Sequence, residues 1–139
     1  MDKLPPYALE SEQCVIGCCL TDPLESIHQS QLVITGRDFF YDFRCQLVWE
    51  TICGMELAQV NFISVHQRLK DGTPEQQKVT LDFLQECQNL VTSAANLPTW
   101  LEEVEAKKIA RDIIRSCTQT IAAVYGGGDV MRILESHET

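Results

Sequence analysis

Apolar residues recur every three to four positions along almost the whole chain, and capping residues stand where each run begins. From Glu10 to Leu20 the apolar face is Cys14, Val15, Cys18 and Cys19, a spacing that predicts a helix. Asp22-Pro23-Leu24-Glu25 supplies an N-cap carboxylate, a proline at the first helical position and an acid three residues after the cap. A short helix should follow to about Leu32. Thr35-Gly36-Arg37-Asp38 repeats that logic before Phe39 and Phe40, which should anchor the turn in the core. Asp42 is placed to cap a third helix running to about Leu57, with Cys45, Val48, Trp49, Ile52 and Cys53 on one side. Asn61 caps a fourth, carrying Val65 and Leu69 and ended by Asp71-Gly72. Thr73-Pro74-Glu75-Gln76 forms a capping box that leads into Leu81, Phe83, Leu84 and Cys87. Val60, Phe62 and Ile63 alternate, but one isolated strand would have no partner, so this stretch reads as loop and helix start.

The last third differs. From Asn96 to Tyr125 no glycine interrupts, and Pro98 sits near the start, where a helix tolerates it. Thirty helical residues make a rod of roughly 45 Å. Glu103 with Lys107 and Glu105 with Lys108 suit intrahelical ion pairs. Ala106, Ala110, Ile113, Cys117, Ile121 and Val124 follow each other close to a heptad seam. Gly126-Gly127-Gly128 breaks the rod, and Asp129 caps a new helix with Val130, Ile133 and Leu134 on its face. The pattern predicts a helical hairpin, and the shortness of its second arm leads us to expect that arm to be incomplete. The predicted fold is therefore all-α: a small globular bundle of about five helices over residues 1–95, then a helical hairpin over residues 96–139.

Composition narrows the function. The chain has 139 residues, enough for one domain with a real core. Its net charge of −9 opposes phosphate backbones, so strong direct nucleic-acid binding is not expected. No apolar run reaches the roughly 18 residues of a membrane span, and the start lacks the features of a signal peptide, which points to the cytoplasm and away from membranes. The seven cysteines are an odd number with no C-x-x-C pair, so neither a disulfide framework nor a zinc site is indicated. Cys14, Cys18 and Cys19 share a helical face, but beside Val15, Ile16 and Leu20 they read as buried apolar residues rather than metal ligands.

Catalytic patterns fare no better. The triple glycine lacks the Lys-Ser/Thr pair and the preceding strand of a phosphate loop, so it reads as a hinge. His28, His66 and His137 lie far apart, and no serine sits in a G-x-S-x-G elbow. Lys107, Lys108, Arg111 and Arg115 form the one basic stretch. Lys108, Arg111 and Arg115 share a face that could meet phosphates or an acidic partner, although Glu105 and Asp112 interleave it as on an ordinary solvated face. No catalytic residue is assigned, and the chain itself is not read as an enzyme.

Two segments carry a resemblance. Pro5-Pro6-Tyr7-Ala8-Leu9-Glu10-Ser11-Glu12-Gln13-Cys14-Val15-Ile16-Gly17, followed by Leu20 and Asp22-Pro23, resembles the opening of the DnaB family of replicative hexameric DNA helicases. Thr92-Ser93-Ala94-Ala95-Asn96-Leu97 is similar to the family's Ser-Ala-Ala-Asn-Ile, which stands at the entrance of a long helix bearing an aromatic (Trp100 here), then Val104, Lys107, Arg111 and Ile113-Ile114. Asp38-Phe39-Phe40 and Val65 to Lys70 fall between them in family order. The chain departs from the pattern at Glu75-Gln76-Gln77-Lys78, where the family often has a Gly-Gly pair, and in its cysteines around Gly17.

The resemblance implies the amino-terminal domain of such a helicase. The nucleotide-binding motor, with its ATP and Mg, lies beyond the hairpin in the family, so no cofactor is expected for this chain. It further implies self-pairing through the hairpins, three such pairs making a collar in the full protein, with primase or a helicase loader docking there. The expected interface residues are Trp100, Val104, Ile113, Ile114, Cys117 and Ile121. Two other readings stay open: a stand-alone helical adaptor or inhibitor that binds a helicase, and a small cysteine- or metal-dependent enzyme.

Overall fold

The computed structural model describes residues 4–127 and 129–138, without the side chains of residues 136–138. Gly128 of the predicted hinge and the side chain of His137 thus lie outside the described residues. Eight α-helices occur among those described: α1 (Leu9–Thr21), α2 (Pro23–Gln31), α3 (Phe43–Cys53), α4 (Phe62–Lys70), α5 (Pro74–Gln77), α6 (Leu81–Asn89), α7 (Leu97–Tyr125) and α8 (Val130–Glu138). Short 3-10 turns at Arg37–Phe39, Leu57–Gln59 and Ala94–Asn96 join them. The expected all-α architecture, a bundle followed by a long helix, is the one observed.

The caps do what their side chains dictate. Asp42 accepts the amide of Arg44 at 2.8 Å, and Asn61 accepts that of Ser64 at 2.9 Å. Asp129 accepts the amide of Met131 at 3.0 Å and so starts α8. Asp22 stands at the α2 N-cap without a side-chain cap bond, so Pro23 starts that helix instead.

Two predicted boundaries change. The third helix stops at Cys53, not near Leu57, because Gly54 closes it and the chain turns through Leu57–Gln59. The Thr73 capping box forms, with Gln76 returning the bond, but it closes only the four-residue α5. Thr80 then caps α6 separately, accepting the amide of Phe83 at 3.1 Å. Two caps seven residues apart give two helices where the sequence pattern suggested one.

Helix α1 is the hub of the core and packs on α2, α3, α6 and α7. Val15, Ile16, Cys18 and Cys19 are fully buried on it, joined by Val48, Ile52, Val65, Leu69, Leu84 and Cys87. Phe40 is buried as expected, and Phe39 packs half-buried against the same cluster. The first turns of α7 belong to this core through Leu97, Leu101 and Val104. Beyond them the helix runs out of the globule, turns through Gly126 and Gly127, and packs against α8. Gly127 has φ of 79°, a left-handed conformation that suits glycine.

Candidate functional site

The apolar stripe of α7 changes sides along its length. At about 100° per residue, nine residues carry Ile113 half a turn round the helix from Val104. Leu97, Leu101 and Val104 face the core, whereas Ala106, Ile113, Cys117, Ile121 and Val124 face outward. Ile113, Ile114 and Ile121 keep 58%, 51% and 56% of their surfaces exposed, so the expected seam is open on this chain. Val104 is not part of it: the side chain is 1% exposed and sits in the core. Trp100, half-buried, packs against the same core rather than beside the isoleucines.

Sequence reasoning left several exposed apolar residues out of the interface. Ile109 and Val124 extend the stripe on α7, and Val130, Met131 and Leu134 add a second row on α8. Their signal was present in the helical spacing of α8, whose outward face is apolar rather than charged.

The three basic residues do not form a free cationic face. Lys108 pairs with Asp112 and with Asp38 at 3.4 Å, and stands 5.3 Å from the centre of the Phe39 ring. Arg111 donates to the carbonyl oxygens of Pro6, Asp38 and Phe39, each at 3.0 Å. Arg115 is more open and lies 3.5 Å from Asp112. Lys108 and Arg111 therefore tie α7 to Pro6, Asp38 and Phe39 within this chain. The predicted Glu103 and Glu105 pairs give way to tertiary ones, since Lys108 turns to Asp38 and Glu103 accepts the Ser11 hydroxyl.

Glu12 is the buried charge that periodicity did not single out. Its carboxylate accepts the amides of Tyr41 at 3.0 Å and Asp42 at 2.9 Å, just before α3 begins. Burial pushes its pKa up, against the opposing pull of those two amides and of Arg111. Four of the buried thiols are poor nucleophiles: burial pushes Cys18, Cys19 and Cys87 up to about 12 and also raises Cys45. Among the described residues no group of three or more His, Cys, Asp or Glu side chains could hold a metal ion. No described helix is long and apolar enough to cross a membrane.

The family model for the DnaB-like helicase N terminal domain matches residues 4–106. This chain belongs to that family. The replicative DNA helicase DnaC of Bacillus subtilis is 30% identical over 87% of the chain, and the replicative DNA helicase DnaB of Rhodothermus marinus is 30% identical over 98%. DnaB of Geobacillus stearothermophilus is 25% identical over 96%. The chain spans only 26%, 14% and 29% of those three relatives in turn. The crystal structure of the N-terminal domain of DnaB helicase from Mycobacterium tuberculosis shares the fold, with a TM-score of 0.85 at 20% identity. That match covers 97% of this chain and 96% of the other. The chain thus holds a DnaB-like N-terminal domain, and the outer stripe of α7 with the apolar residues of α8 is a surface that its own core leaves uncovered.

Proposed function

We propose that this DnaB-like domain is the pairing and docking module of a replicative DNA helicase. Two copies join through α7 and α8, three such pairs build a collar in the full-length protein, and primase or a loader docks on that collar. Unwinding driven by ATP and Mg belongs to the motor of the full-length helicase. The division into residues 1–95 and 96–139 is then one of roles rather than of packing, because Leu97, Leu101 and Val104 complete the globular core.

One observation carries this reading. Ile113, Ile114, Ile121 and Val124 on α7, with Val130, Met131 and Leu134 on α8, are each at least 47% exposed on two packed helices. Side chains of this kind gain about 25 cal/mol for every Å² taken out of water, and a second hairpin offers the same chemistry in return. The stripe itself carries no like charges to bring together, since no ionisable acid or base occurs from Ser116 to Val124 apart from the Cys117 thiol.

Light scattering over a concentration series tests it. The native chain should pass from monomer to dimer, and Ile113→Asp should shift that transition to at least tenfold higher concentration, about 1.4 kcal/mol. A native chain that stays monomeric at concentrations on the order of hundreds of micromolar, with Ile113→Asp changing nothing, sinks the proposal.

A further inference from the structure

Arg111 stands where α7 leaves the globule. Through Nη1 it binds the carbonyl of Pro6, and through Nη2 the carbonyls of Asp38 and Phe39. One side chain thus gathers the extended N-terminal segment and the Arg37–Phe39 3-10 turn, which lie far apart in sequence. Pro5 and Pro6 keep the first stretch extended, because their rings fix φ. The Tyr7 ring then stacks on Tyr41, with centroids 4.7 Å apart and planes 14° from parallel. Tyr41 in turn lies 6.0 Å from the Arg111 guanidinium carbon. One turn earlier on α7, Lys108 reaches Asp38 and the Phe39 ring. The loop from Asp38 to Tyr41 is held between the N-terminal strap, residues 4–8, and the rod.

This junction sits at a mechanically sensitive place. Val104 is the last fully buried residue of α7, while Ile109, Ile113 and Ile114 are each at least half exposed. The rod from Arg111 to Tyr125 is roughly 21 Å long, so a tilt of about 10° at its base would move the tip by roughly 4 Å. That displacement is comparable to a whole side-chain contact.

We propose that the strap, Tyr41 and Arg111 form a clasp that sets the direction of the rod. With the strap seated, α7 is held at one angle to the globule; with the strap displaced, the rod tilts. The N-terminal segment is thereby a conformational device that acts on a surface at the far end of the molecule. It operates within a single chain and stands whether or not two rods pair.

The native cysteines provide the probe. Cys53 on the globule and Cys117 on the rod are the exposed thiols, and the other five are buried. Spin labels on these two, in chains diluted with unlabelled protein, report the angle between globule and rod by pulsed dipolar spectroscopy. The native chain should give one narrow distance distribution. Arg111→Ala, and a chain lacking residues 1–7, should each broaden it while the circular dichroism of the helices persists. A native distribution that is already broad overturns the proposal, and so does one that removing the strap leaves narrow. If Arg111→Ala fails to fold, the shortened chain and Tyr7→Ala decide the matter by the same readout.

Discussion

A Cβ placed on Gly17 would stand 2.1 Å from the carbonyl oxygen of Cys87, with Val91 next in line at 3.3 Å. Gly17 on α1 lies directly against the α6 backbone, and the obstacle is backbone, which cannot swing aside. Alanine at this position would gain about 1 kcal/mol of helix propensity over glycine. Prying the two helices apart costs about 1–3 kcal/mol or more, because overpacking against backbone has no rotamer to relax into. The clash wins. Gly17→Ala should therefore lower the urea midpoint by the equivalent of roughly 1–2 kcal/mol, and equal or higher stability would show that α6 is less tightly seated.

Glu12 gives the fold a pH dependence whose sign follows from its burial. Its pKa is raised in the folded state, chiefly by burial, so the folded chain holds the proton more tightly than the unfolded one. Its contribution to stability is greatest below the ordinary glutamate value near 4.5, falls as pH rises through the raised value, and is level above that. Glu12→Gln does not titrate, and the other carboxylates cancel in the comparison. Urea titrations from about pH 4 to pH 7 should show the native chain losing ground relative to Glu12→Gln as pH rises. A native chain that instead gains on Glu12→Gln as pH rises would reverse the assignment. Glu12→Leu is the harsher change, since it leaves the Tyr41 and Asp42 amides without their acceptor, at about 1–3 kcal/mol for each buried group.

Most of the architecture was legible because it is written in local signals. Asp42, Asn61 and Asp129 each cap the helix their sequence context indicates, and capping needs only neighbours within three residues. What escaped was long-range. Nothing near Arg111 in sequence says that its partners are Pro6, Asp38 and Phe39, so it was read with Lys108 and Arg115 as a face of charge. Glu12 looked like one more helical acid, because its amide partners lie about thirty residues away. Val104 was misplaced for a different reason: the stripe of α7 turns half round between Val104 and Ile113, and a list of apolar residues without angles merges the two sides.

That change of side makes a paired prediction on one helix. Val104→Asp buries a carboxylate in a site that is 1% exposed, which should abolish cooperative folding. Ile113→Asp places the same carboxylate where more than half of the native side chain already meets water. In dilute solution its stability should stay within about 0.5 kcal/mol of native. Thermal unfolding followed at 222 nm, a wavelength set by the helical backbone, distinguishes the two. Equal damage from both substitutions would mean that the outer stripe is buried within the single chain.

The thiols supply a test of pairing that needs no substitution. Cys53 and Cys117 are exposed, whereas the other five are buried; burial raises the pKa of each of the five and also that of Cys53, whose thiol is nonetheless open to a reagent. At pH 8, a thiol pushed up to about 12, such as Cys19, is ionised in only about one molecule in ten thousand. Two thiols should accordingly react quickly with a disulfide reagent in dilute protein, and the remaining five only when the chain unfolds. Cys117 lies between Ile113 and Ile121 on the outer stripe, while Cys53 lies at the end of α3 in the globule. Raising the protein concentration should then slow Cys117 and leave Cys53 unchanged, read by mass spectrometry of the modified peptides. Equal rates for Cys117 at low and high concentration would mean that the hairpins do not cover each other along this stripe.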